Sequence, residues 1–215
     1  MRRKLIKTTS LFISVWMLML LNAGLANANQ QQEFAGEQLK RKLLTLKTFT
    51  AAFEQKVTDG QGELVQESSG QMTLKQPNLM IWKVNAPDEN LMVADGTTLW
   101  YSDPFVEQVT AINQADSVSN NPIVLLTNPS NEQWSEFTIS YSDDEVYSII
   151  AISPESQISE LKLKFENNQL SQLSFIDRQQ QTSELTFSDV KQNIQIGDEQ
   201  FVFAIPDGFD LDDQR

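Results

Sequence analysis

The chain has 215 residues with neither cysteine nor histidine, and 16 Lys and Arg stand against 29 Asp and Glu, a formal charge of −13 with a pI near 4.4. Without imidazole or thiol there is no Ser-His-Asp or Cys-His nucleophile, no thiolate metal site, no disulfide and no cysteine for lipid attachment, so an enzyme here would depend on carboxylates, Lys or Tyr. So acidic a surface repels phosphate backbones and anionic headgroups, which argues against nucleic acid and tight electrostatic membrane docking and favours basic partners.

The charge is unevenly placed. Arg2, Arg3, Lys4 and Lys7 open the chain with no acidic residue before position 29. An apolar run from Leu11 to Leu21 follows, and small residues end at Ala26-Asn27-Ala28. This is the pattern of a secretory signal cleaved after Ala28. The alternative, an uncleaved anchor, needs roughly 17–25 apolar residues, more than this run supplies. Export leaves 187 residues, 29–215, with 12 basic against 29 acidic, a net −17. That length suits a single domain, no later stretch is apolar enough to span a bilayer, and the signal points to the bacterial periplasm.

From Gln31 to Leu46, Phe34, Leu39, Leu43 and Leu46 recur at helical spacing among Gln, Glu and Lys, which predicts an amphipathic helix. The period then changes to two. Phe49, Ala51, Phe53 and Val57 alternate with polar residues up to the turn Asp59-Gly60-Gln61-Gly62. Alternation continues through Met72–Leu74, Met80–Val84, Leu91–Val93 and, after Asp95-Gly96, Leu99–Tyr101. It breaks between Asn113 and Gln133, where Asn121-Pro122-Ile123-Val124-Leu125-Leu126-Thr127-Asn128-Pro129 reads as a short apolar helix framed by prolines. It resumes in Phe137–Tyr141, Val146–Ile152, Leu161–Phe165, Leu170–Ile176, Leu185–Phe187 and Phe201–Phe203. About 10–11 strands with two or three helices describe an α+β fold, an unclosed antiparallel β-barrel whose helices form a lid over an apolar cavity.

Little in the chain points to covalent chemistry. Asp143-Asp144-Glu145 reads as a solvated turn, and Asp207–Asp213 lacks the order of a calcium loop, so no metal and no cofactor is expected. Neither a Gly-rich phosphate loop nor a nucleophile elbow is present. Trp82, Trp100 and Trp134, with Phe49, Phe53, Phe105, Met72, Met80 and Met92, are many for one small sheet. Such residues are commonly plain core, yet Met is also what a cavity for variable acyl chains would use.

Between positions 77 and 108 the order Pro77-Asn78…Trp82, Pro87-Asp88-Glu89, Asp95-Gly96…Leu99-Trp100 and Pro104-Phe105-Val106-Glu107-Gln108 resembles the LolA family of periplasmic lipoprotein carriers. Phe49-Thr50-Ala51-Ala52-Phe53-Glu54-Gln55 upstream and the Pro122 segment extend the resemblance across the exported chain, most weakly between 139 and 191. It implies a non-enzymatic monomer that takes acylated outer-membrane lipoproteins from an inner-membrane ABC transporter complex and passes them to a LolB-like outer-membrane receptor. It also implies that Phe49, Met80, Trp82, Met92, Ile123, Val124, Leu125 and Leu126 line the lipid site. The family pattern has Arg before Pro-Asn, implied to hold the lid closed, where this chain has Gln76, and often Phe where it has Met80. Gln76 is expected to donate to a carbonyl near Pro122–Leu126, more weakly than a guanidinium would.

Other readings make their own demands. An anchored LolB-like acceptor would need the missing cysteine. A polysaccharide-binding or scaffold module would display its tryptophans on an exposed flat face, and an enzyme would show converging buried carboxylates.

Overall fold

Alternation produces strands because each buries one face, and turns of Asn, Asp and Gly reverse the chain between them. The structure, a computed structural model, describes residues 33–117, 122–130, 132–142 and 144–215. The expected signal, its cleavage site after Ala28 and Asp143 lie outside the described residues. Helix α1, residues 33–45, buries Ala35, Leu39 and Leu43, and Leu46 follows them inward just past its end.

Among the described residues twelve strands follow: β1 (Thr48–Thr58), β2 (Leu64–Lys75), β3 (Leu79–Val84), β4 (Asn90–Asp95), β5 (Thr98–Asp103), β6 (Gln108–Asn113), β7 (Phe137–Ser142), β8 (Val146–Ala151), β9 (Ile158–Glu166), β10 (Gln169–Asp177), β11 (Thr182–Gln192) and β12 (Asp210–Asp213). They form one sheet in the order β12-β6-β5-β4-β3-β2-β1-β11-β10-β9-β8-β7. Every pairing is antiparallel except β12 with β6, which is parallel. The sheet begins at β12 and ends at β7, so it is unclosed. Its long central strands carry register irregularities, one in β1 between Thr50 and Ala52 against β11. Such bulges bend a strand and increase its twist.

Different segments cover each face. β6 lies next to one edge and β7 forms the other, and what is described of the chain between Asn113 and Phe137 runs over the concave side. It does so in three 3-10 segments, Gln114–Ser117, Pro122–Thr127 and Glu132–Glu136. The middle one touches β2, β3 and β9 and so spans both halves of the sheet. After β11, at the centre, the chain must return to the β6 edge, and it crosses the convex side. There Asp198–Phe201 packs on β3 and β4, and Ile196 and Phe201 are buried with the outward residues Val93, Val109 and Ala111.

Four sequence expectations change. The strand count among the described residues is twelve rather than ten or eleven, and the sheet is mixed rather than wholly antiparallel. Phe201–Phe203 is no strand: its alternation arises because Phe201 and Phe203 lie inward against the convex face of the sheet without pairing. The strand nearest the C-terminus is instead Asp210–Asp213, whose acidic residues form an exposed edge. The expected two or three helices are, among the described residues, one α-helix and short 3-10 turns.

Candidate functional site

The concave face is built by cross-strand rows. One row runs Phe49, Leu74, Met80, Ala94 and Leu99 across β1 to β5; the next runs Ala51, Met72, Trp82 and Met92. Beyond β1 the same face continues through Phe187, Leu185, Leu173, Leu163 and Tyr147. These side chains form one core cluster, with Met92 partly buried at its margin. Phe53 sits edge-on to Trp82, ring centroids 5.4 Å apart, over Gly70, where a Cβ would overlap the phenyl ring and the Lys83 carbonyl. Glycine is required there because the strand and ring approach too closely for any side chain.

Over this surface lie Ile123, Val124, Leu125 and Leu126, none more than 5 % exposed. The six residues Pro122–Thr127 contain no charge, and the Thr127 hydroxyl is absorbed by the Val124 carbonyl at 2.7 Å. The cover thus offers only hydrocarbon to the sheet. α1 closes the neighbouring part through Leu39, Leu43 and Leu46, and its Lys42 ammonium stands 4.6 Å from the Phe165 ring centre while donating to Asn168.

The structure places each expected lining residue on this face or in its cover. Phe49 and Met80 are fully buried, and Trp82 nearly so. Gln76 makes a different contact from the one expected. Its Nε2 donates to the Leu43 carbonyl in the last turn of α1, at 2.7 Å, rather than to the Pro122–Leu126 segment. The bond to that segment comes two residues later: the Asn78 amide donates to the Thr127 carbonyl at 3.1 Å, and the Asn128 amide group to Asn78 Oδ1 at 3.0 Å. Gln114 completes the anchor, donating to the Asn78 carbonyl at 2.9 Å and accepting from the Gly96 amide at 3.0 Å. Asn78, Gln114 and Asn128 were not singled out in the sequence. Asn78 entered only as part of the Pro77-Asn78 motif, and no local spacing joins it to residues thirty-six and fifty positions away.

Elsewhere the chemistry is structural. Asp95 accepts from the Thr98 and Thr97 amides, the Thr97 hydroxyl and the Trp100 indole. Partial burial pushes its pKa up, but these bonds outweigh burial and hold it below the ordinary carboxylate value. On the convex side Phe203 stacks on Trp100 at 5.2 Å, and the Arg215 guanidinium lies 5.2 Å from the same ring. Arg215 also grips Asp213, holding its carboxyl down to about 2. Among the described residues no Asp or Glu is buried, and no group of three His, Cys, Asp or Glu is placed to hold a metal ion. The described tryptophans share no flat exposed face: Trp82 points inward, Trp134 packs against the core, and Trp100 is half-buried under Phe203. Phe105 and Val106 of the turn between β5 and β6 stand exposed, at 94 % and 57 %.

An unclosed sheet with an apolar concave face covered by short helical segments defines a lidded open-barrel fold. An uncharacterized conserved protein from Thermus thermophilus shares the fold at a TM-score of 0.50 and 11% identity, over 86% of this chain and 100% of that one. Residues 44–204 match the family described as outer membrane lipoprotein carrier protein LolA. An outer-membrane lipoprotein carrier protein of Idiomarina loihiensis is 37% identical over 178 residues, 83% of this chain and 87% of that one. One from Pectobacterium carotovorum is 36% identical over 181 residues, 84% and 89% of the two chains. The chain belongs to the LolA family, whose members are carriers and not enzymes.

Proposed function

We propose that this protein is a periplasmic carrier that buries the acyl chains of outer-membrane lipoproteins between its concave face and its lid. In this reading it is exported by cleavage after Ala28. Residues 29–215 act as a single-domain monomer, loaded by an inner-membrane ABC transporter complex and unloaded by a LolB-like receptor. The lipid would lie against Phe49, Met80, Trp82 and Met92 and displace Ile123, Val124, Leu125 and Leu126.

The observation that carries the reading is the lid itself. A segment of six uncharged residues is pinned by polar bonds at one end, at Asn78 and Asn128, while its four central side chains rest on a face of hydrocarbon alone. The need for such a site is physical. At about 0.8 kcal/mol per CH₂, a sixteen-carbon chain costs on the order of 12 kcal/mol to expose to water. The test is release of newly made lipoproteins from spheroplasts. Purified protein should bring them into solution in a one-to-one complex; lipoproteins left in the membrane fraction would refute the reading.

A further inference from the structure

The two edges of the open sheet are built differently. An exposed strand edge is a template for pairing with another chain, and charges on it prevent that. β12 is protected, with three Asp among its four residues and Arg215 beyond. β7 is not: Phe137-Thr138-Ile139-Ser140-Tyr141-Ser142 has no charge and no proline, and among the described residues it pairs only with β8.

Beside this edge is a pocket of about 460 Å³ between α1 and the segment leading into β7. Leu39, Trp134, Ile139 and Pro129 form its apolar walls, and Glu33, Glu37 and Lys40 of α1 also line it, with Arg41 3.9 Å from the Glu37 carboxylate. α1 lies close to the strand at Gly36, where a Cβ would make an ordinary contact with Ile139 Cδ1 at 3.7 Å. The pocket borders the lidded core: Leu39 belongs to that core, and Trp134 and Ile139 pack against it. Glu132 and Glu136, both exposed, add negative charge just before β7.

We propose that the free edge of β7 pairs with an extended segment of the cargo polypeptide, the residues directly after its lipid-bearing position, and favours basic side chains there. The proposal rests on the carrier reading. A chain whose lipid lies in the core must leave from under the lid, and this pocket shares Leu39 with the core and Ile139 with the uncharged strand edge. Six residues of β7 accommodate about 20 Å of extended peptide, giving main-chain affinity without demanding a particular sequence. The acidic rim then selects charge rather than shape.

The test compares three kinds of probe on the protein purified from cells: palmitoyl-serine amide, the same group extended by Val-Lys-Val-Lys-Val-Lys, and two forms of the extended peptide N-methylated at alternate residues. Affinities come from displacement of a fluorescent fatty acid, and exchange of the β7 amides is followed by mass spectrometry. The extended peptide should bind on the order of tenfold more tightly than the short probe, and one N-methylated form should lose that gain. Only the extended peptide should slow exchange in β7. Double substitution Glu33→Lys and Glu37→Lys should weaken the extended peptide several-fold at low salt and leave the short probe unchanged. Equal binding of all probes with unaltered β7 exchange would overturn edge pairing while the carrier reading stands. If no probe displaces the fatty acid, both fall.

Discussion

The contact between Gln76 and α1 sets a measurable threshold for opening the site. Gln76 Nε2 donates to the Leu43 carbonyl at 2.7 Å, which also accepts from the Leu46 amide at 2.9 Å. Gln76→Leu therefore removes one of two bonds without orphaning the acceptor, and the loss is that of an ordinary half-buried hydrogen bond, about 0.5–1.5 kcal/mol. If the bond exists only while α1 rests on the sheet, the open population rises by roughly two- to thirteen-fold. Gln76→Arg should act oppositely, since a charged donor bond is worth about 1.5–3 kcal/mol and the guanidinium reaches the same helix terminus. The assay is amide exchange across α1 together with the uptake rate of a fluorescent fatty acid. Exchange and uptake should rank Leu above Gln above Arg, with exchange in β10 unchanged. Identical α1 exchange in all three proteins would refute the assignment of this bond to the closed state alone.

Four further outcomes follow from the packing. Gly70→Ala places a Cβ into the Phe53 ring and the Lys83 carbonyl, and should cost about 1–3 kcal/mol in urea unfolding, partly restored by Phe53→Leu. Met80→Ala, at a fully buried position, should cost about 2–5 kcal/mol, whereas Met80→Leu should cost under about 1.5. Tryptophan emission should shift on loading with an acylated peptide, and the shift should shrink in Trp82→Phe. Asp95 is held below its ordinary value by its bonds to Thr98, Trp100 and Thr97, so its contribution to stability is full above about pH 4 and lost as pH falls through the lowered pKa. The difference in Tm between wild type and Asp95→Asn should thus be constant near neutrality and narrow below about pH 4.

The strands were legible because most are buried on one face, and one-sided burial is what period-two alternation reports. The same signal misleads at Phe201–Phe203, where one-sided burial comes from lying on the convex face of the sheet and no strand is paired. β12 was hidden for the converse reason. An edge strand that is mostly exposed has no apolar alternation, and Asp-Leu-Asp-Asp pairs with β6 through its backbone alone. The lid was legible from Pro122 and Pro129 around an uncharged apolar run. Its fastenings were not, because Asn78 meets Thr127 and Asn128, and Gln76 meets Leu43 of α1, only after the strands are ordered. Residue type told which groups could bond, and topology decided which did.

That topology also sets the energetics of the proposed hand-off. In the carrier reading, the Pro122–Thr127 segment between β6 and β7 occupies the concave face when no lipid is bound, with Ile123, Val124, Leu125 and Leu126 buried there. Lifting four such side chains into water costs about 6–12 kcal/mol at 1.5–3 kcal/mol each. Burying a sixteen-carbon chain in their place returns about 12 kcal/mol. The balance is about 0–6 kcal/mol in favour of loading, so the cover that the lipid displaces offsets half or more of the gain from burying it. Within that balance one hydrogen bond at Gln76, about 0.5–1.5 kcal/mol, shifts the loading equilibrium by roughly two- to thirteen-fold. A carrier with Arg at that position should accordingly hold its lid more tightly than this one, and release from this protein should respond steeply to a single substitution there.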